Sequence, residues 1–349
     1  MKKIISLVLI ILPLALINGQ QASVSSLQEE VPAVVYSLPK TTLNIDIEVE
    51  KTTTIPGVYF QYSERYLATD KVITEEKTTY KIKTIKISSK AIPDPARTYN
   101  IPLEGKSVLG QISVNADGLL CGVNVPVANS SYKQPKVKVT MNNKEENTVI
   151  LPLGEEYMMA GSTAKLAEGA AKQIYRIRES RISLLTGDLE HLPADGASFK
   201  AMLDGMNKME KQLTELFIGK TRKEIIRQHI SVTPDVAMNN MVLFRFSVFK
   251  GVVAVDDLSG EPYYLNVNPE KINISTGDVK GKKAKPTLFT ILPAKTSISI
   301  SDSKMVFSNE TFLMPQFGVL MPLSEDLFST PKLKIHIDSQ TGRLLYIEK

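Results

Sequence analysis

The clearest pattern in this chain is alternation. Leu43, Ile45, Ile47 and Val49 take turns with Asn44, Asp46, Glu48 and Glu50. A period of two over that stretch predicts a strand with one buried face. Val58-Tyr59-Phe60-Gln61-Tyr62, after the Pro56-Gly57 turn, reads as a second, aromatic strand, with Tyr59 on one face and Phe60 and Tyr62 on the other. Tyr80 and Ile82, then Ile85 and Ile87, predict another strand. The apolar parity changes between Ile82 and Ile85, which predicts a bulge. Ile112-Ser113-Val114 and Leu119 to Val123 flank Asn115-Ala116-Asp117-Gly118. Asp-Gly supplies the positive φ angles of a tight turn, so this segment predicts a hairpin.

From residue 156 to about 220 the period lengthens. Ala160, Ala164, Ala167, Ala171, Ile174 and Ile177 mark one helical face, which ends before Gly187. A second helix starts at Asp195 or Ser198 as its N-cap and carries Phe199, Met202, Leu203, Met206, Leu213, Leu216 and Phe217 on its apolar face. The methionines on that face read as core packing. Gly219 closes the helix. Two amphipathic helices joined by a short Gly/Pro-containing loop predict an antiparallel helical hairpin, with a first helix roughly 40 Å long at ~1.5 Å per residue.

Alternation returns from residue 230. Val242, Phe244, Phe246 and Val248 form one strand, Pro262 to Val267 an aromatic one, and Ile298 and Ile300 alternate with serines. Leu333 to Ile337 and Leu344 to Ile347 flank a turn at Asp338 to Gly342. The fold class is therefore α+β: two mainly antiparallel β domains, sandwich- or barrel-like, at residues 20–155 and 223–349, separated by a helical hairpin at 156–222. Both β regions run from an alternating strand through an aromatic strand to a final hairpin. That order admits either a duplication or the chance likeness of β sequences. A duplication requires residues 40–125 and 240–347 to share one strand order.

Ahead of these regions stand Lys2, Lys3 and an apolar run from Ile4 to Ile17 that ends at Asn18-Gly19. A cationic start, a short apolar run and a small residue predict a secretory signal peptide at residues 1–19. The run is too short for a bilayer, which takes roughly 20 apolar residues. Cys121 is the single cysteine. It leaves no disulfide or cysteine-based zinc site, and it stands too far along the chain for a lipoprotein anchor. The strand-like surroundings of Cys121 suit a small buried residue. Losing Lys2 and Lys3 lowers the formal charge of +5 by two, which gives no basis for nucleic-acid binding. The expected setting is the periplasm, or else the cell surface or medium.

Several segments also carry a family likeness. They are Tyr36-Ser37-Leu38-Pro39-Lys40-Thr41, Pro56 to Leu67, Ile174 to Arg181, Leu184 to Gly187, Leu192 to Gly196, Leu243 to Ser247, and Gln316-Phe317-Gly318-Val319. Together they resemble an uncharacterised exported bacterial family, domain of unknown function 4831. The resemblance implies a Gram-negative envelope setting and brings no activity and no functional residue.

The residues offer little catalytic chemistry. His191, His229 and His336 are far apart and match no metal-binding spacing, and no cofactor is expected. His336 has the opposite parity to Ile335 and Ile337, so solvent exposure is expected. Ser162-Thr163-Ala164-Lys165 has the S-x-x-K spacing of penicillin-recognising serine enzymes. Ser162 and Lys165 are thus the catalytic candidates, although Ser301 to Lys304 repeats the spacing in a strand and the partner motifs are missing. Ser162 equally suits a helix N-cap. Tyr59, Tyr62, Arg176 and Arg178 are the binding candidates. The arginine run with Arg181 and Glu179 reads as a solvated face or as a docking surface. Lys280 to Lys285 reads as an exposed basic turn.

The favoured function is a non-catalytic envelope protein that binds or scaffolds another macromolecule, an envelope protein or polymer. A small-ligand carrier for lipid or glycan, and a hydrolase of envelope or dietary polymer, are the alternatives.

Overall fold

A computed structural model describes residues 33–102, 112–127, 155–159, 161–188, 195–273, 286–324 and 333–348. The proposed signal peptide, His191 and the basic turn at Lys280 to Lys285 lie outside the described residues.

Two strands dominate, β1 (Ala33–Ile55) and β2 (Lys77–Pro102). They pair as one antiparallel ribbon. At ~3.3 Å per residue, β1 is roughly 75 Å long. Three hydrophobic cores are strung along this ribbon. The middle one is fixed by the alternation read from sequence: Leu43, Ile45, Ile47 and Val49 are buried with Ile85 of β2. The bulge expected near Ile82 is present, because Glu48 pairs with Thr84 and Val49 with Ile82, which skips Lys83.

The opposing layer is a five-stranded antiparallel sheet. Its strands are β6 (Met238–Ser247), β7 (Gly251–Val253), β8 (Glu261–Pro269), β9 (Pro286–Ser301) and β10 (Val306–Ser324), in the order β10-β9-β8-β6-β7. Phe244, Tyr263, Leu265, Ile298, Ile300 and Met314 face the ribbon across the middle core. Gln316 stitches the layers together, since its side-chain amide donates to the Thr41 and Pro234 carbonyls and its Oε1 accepts from the Thr41 N–H.

The second core sits at the ribbon's Ala33 end. Here β3 (Ile112–Val114) and β4 (Leu120–Val123) join β11 (Lys334–Ile337) and β12 (Leu344–Glu348) in one sheet of order β12-β11-β4-β3. The β3–β4 turn is built as expected, with Asn115 Oδ1 accepting from the Asp117 and Leu119 N–H groups and Gly118 at φ +80°. Strands from both ends of the chain therefore share one sheet and one core, with Tyr36, Leu38, Leu120, Ile291 and Ile335 buried together. The two β regions also differ in strand order, so they are not two copies of one β fold. His336 is half-buried instead of exposed, because its ring stacks on Tyr346 at 4.2 Å. Cys121 is half-buried.

The third core belongs to the helical hairpin at the other end of the ribbon. Helix α1 (Ser63–Leu67) precedes β2, and α2 (Glu155–Met158), α3 (Thr163–Thr186) and α4 (Gly196–Ile218) precede β5 (Lys220–Val232), which pairs with β1. Val58 to Tyr62 is not a strand. It forms a 3₁₀ turn, Phe60–Tyr62, running into α1. The helical spacing of Tyr59, Tyr62 and Tyr66 fits this better than alternation does, and all three pack in the hairpin core. β5 left no alternating pattern because its first half runs beyond the middle core, so Arg222, Glu224 and Gln228 are exposed on the face that Ile230 and Val232 bury further along.

Candidate binding surface on the helical hairpin

The hairpin starts from two caps legible in the sequence. Ser162 Oγ accepts from the Lys165 N–H at 3.3 Å, and Asp195 Oδ1 accepts from the Ser198 N–H at 2.8 Å. These satisfy amide groups that a helix start leaves open. This cap is the whole of the Ser162–Lys165 relation that the structure shows. The Lys165 ammonium is 3.4 Å from the Glu168 carboxylate, so it is engaged along the helix and not with the serine.

Near the base, Ala167, Ala170, Ala171, Ile174 and Ile177 of α3 are buried against Leu213 and Phe217 of α4. Tyr59 joins them, with its ring 5.5 Å from Phe217, and burial raises its hydroxyl pKa. Tyr59 therefore lies in the hairpin core. Tyr62 is half-buried beside Tyr66, ring centroids 6.3 Å apart.

The C-terminus of α4 is clasped by the segment that follows β1. The Glu215 carbonyl accepts from the Gly219 N–H, Leu216 from the Tyr59 N–H, Phe217 from Ser63 Oγ, and Ile218 from the Ile73 N–H. A helix leaves its last carbonyls without intrahelical partners, and here each has one. Gly57 makes the clasp possible, because a Cβ there would stand 2.3 Å from the Leu216 oxygen.

Half-way up, the helix–helix contact becomes ionic. Arg178 Nε donates to Glu210 Oε1 at 2.6 Å, and Arg181 donates to the other Glu210 oxygen and, at 3.0 Å, to Asn207. Burial alone would raise the Glu210 pKa, but the two guanidiniums outweigh it and hold the carboxyl below its ordinary value. Arg178 thus braces the two helices against each other at a partly exposed site, while Arg176 is exposed. An open cleft of about 560 Å³ lies beside this brace, lined by Lys71, Arg178, Glu210, Lys211, Glu215 and Lys220 among others.

Beyond the brace, packing thins. Leu184 is buried, but Ile182 and Leu185 are each 60% exposed and Met202 is exposed as well. Of the α4 methionines, Met206 packs against the hairpin core, while Met202 and Met209 are exposed. Apart from each other, the helices meet chiefly α1, α2 and the Phe60–Tyr62 turn, all at the base. The distal half is an arm with an apolar flank.

One array escaped sequence reading. Across β1 and β5, Asp46 Oδ1 is 2.8 Å from His229 Nδ1, and His229 Nε2 is 3.0 Å from Ser231 Oγ. The order resembles an acid–base–nucleophile chain. However, the Ser231 hydroxyl also donates to Asn44 Oδ1 at 2.9 Å. The groups lie exposed on the open sheet face, in one polar ladder with Glu48–Arg227 at 2.8 Å and Glu50–Lys223 at 3.4 Å. Cross-strand pairing accounts for the array. The signal was present in His229-Ile230-Ser231, two polar residues alternating with an apolar one, but its partner comes from register across more than 180 positions.

A family model matches residues 32–345 and describes a domain of unknown function, DUF4831. The chain belongs to this family. No curated protein and no solved structure matches it. Among the described residues, no helix is long and apolar enough to cross a membrane.

Proposed function

We propose that this member of the DUF4831 family is an exported envelope protein that binds a macromolecular partner through its helical hairpin, without catalysis of its own. The observation that carries this reading is the distal arm, where Ile182 and Leu185 are each 60% exposed. Exposed large apolar side chains gathered on one element mark contact surfaces. The ionic brace of Arg178 and Arg181 on Glu210 ties the two helices together half-way along the arm. A rigid arm loses less freedom on binding than a loose one. Export rests on Lys2, Lys3 and the apolar run that follows; N-terminal sequencing of the protein from fractionated cells tests it, and an intact Met1 would refute it.

The partner is tested by crosslinking in intact cells, followed by mass spectrometry of captured molecules. A reproducible protein or polymer crosslinked to residues 178–209 supports the reading. A co-purifying lipid or glycan with no macromolecule would instead favour a small-ligand carrier. The cleft beside the hairpin is open and lined by charged side chains, whereas a lipid carrier needs an enclosed apolar cavity.

A further inference from the structure

The cleft beside the ionic brace and the apolar flank of the distal arm form one continuous surface. Arg178 of α3 lines the cleft. Residues four and seven further along a helix share its face, so Ile182 and Leu185 carry that face on from Arg178 towards the tip of the hairpin. Both are exposed. At ~1.5 Å per residue, Leu185 lies roughly 10 Å beyond Arg178 along the helix. A molecule seated in the cleft therefore reaches the apolar flank without leaving α3.

The two parts of the surface select different chemistry. Lys71, Arg178, Lys211 and Lys220 bring more cations to the cleft than Glu210 and Glu215 bring carboxylates. Both carboxylates are already engaged, Glu210 by Arg178 and Arg181, and Glu215 by Lys211 at 3.8 Å. Lys71 is exposed and forms no ion pair among the described residues, and its neighbour Asp70 does not line the cleft. An excess of cations attracts an anionic group, whereas Ile182 and Leu185 gain only from apolar contact. An anionic polysaccharide has no apolar side chains to set on the flank. An anionic lipid could place its headgroup in the cleft, but the open flank would leave its acyl chain in water. A polypeptide segment with carboxylates towards one end and apolar side chains towards the other meets both demands, and an amphipathic helix laid along a groove presents them in this way.

We propose that this surface takes an acidic, amphipathic segment of a partner protein, with its carboxylates in the cleft and its apolar side chains on Ile182 and Leu185; this rests on the reading of the arm as a partner-binding element. The test places a photo-crosslinking amino acid in living cells, in turn at Thr221, an exposed uncharged residue of the cleft, and at Leu185, and identifies the captured peptides by mass spectrometry. The expected result is one protein captured at both positions, with an Asp/Glu-rich peptide at Thr221 and an adjoining apolar one at Leu185. Lys71→Glu should lower the Thr221 yield about fivefold, the weight of one exposed charge pair. Lys71→Arg should preserve the yield, and both variants should melt like the parent. A protein captured at Leu185 and not at Thr221 overturns the proposal and leaves the reading of the arm standing. Capture at Thr221 of a lipid, a glycan or a segment without carboxylates also overturns it, as does a yield indifferent to Lys71→Glu. No adduct at either position overturns both.

Discussion

Gly57→Ala is the sharpest test of how the hairpin is attached to the ribbon. A Cβ at this position would lie 2.3 Å from the Leu216 oxygen, 2.5 Å from its carbonyl carbon and 2.8 Å from the Glu215 oxygen. All three are backbone atoms of the last turn of α4, so no side chain can swing aside. Either the turn at Pro56-Gly57 or the end of α4 must shift. The adjacent bond from the Tyr59 N–H to the Leu216 carbonyl, 2.7 Å long, is the first to be lost. A buried backbone group without a partner costs about 1–3 kcal/mol, and forcing an extra methyl into a packed site costs about 1–3 kcal/mol more. The sum is about 2–6 kcal/mol, localised to the junction. Native-state hydrogen exchange reads it directly. The amides of Tyr59, Ile73 and Gly219 should lose protection, while those of Ile45 and Ile47 in the middle core should keep theirs. Unchanged protection at Tyr59 and Ile73, with a melting curve matching the parent, would refute the clasp.

Other consequences follow from the same geometry. Glu210→Ala leaves Arg178 and Arg181 facing each other without their shared carboxylate; with both guanidiniums partly exposed, the loss should be about 1–2 kcal/mol by chemical denaturation, solvent screening included. Because the folded Glu210 pKa is depressed below 4.5, the brace is complete above that pH and weakens as pH falls through the folded value; helical exchange protection should therefore drop in acid in the parent and not in Glu210→Ala. Ser162→Ala should cost about 1 kcal/mol of stability through the lost cap, and partner crosslinking at the arm should not change. Burial pushes the Tyr36 hydroxyl up to about 12. The folded state then keeps a proton that the unfolded chain sheds from about pH 10, so stability should fall as pH rises from 10 towards 12, less steeply in Tyr36→Phe.

Where a residue's neighbours are local, the sequence was a good guide. The alternation of Leu43 to Val49, the skipped Lys83, the Asn115 turn and both helix caps are set by periodicity and short-range hydrogen bonds, and all are present. What was not legible depends on long-range register. Val58 to Tyr62 spans too few residues to separate a period of two from a helical one, and the contact that decides it comes from Leu216. The sharing of one sheet by β4 and β11 joins positions more than 200 residues apart. Arg178 and Arg181 looked like a solvated run because Glu210 lies on the other helix. The apolar face of α4 was visible, but its periodicity says only that Met202 shares a face with Leu213. It does not say that Met202 stays exposed while Leu213 is buried.

That the distal arm meets a macromolecule can be tested in living cells. The most direct measurement places a photo-crosslinking amino acid at Leu185 in living cells, with a matching probe at Lys86 on the ribbon as the control. A discrete high-mass adduct is expected from Leu185, removed by Ile182→Asp, and none from Lys86. Adducts of equal yield from both positions, or none from Leu185, would contradict it.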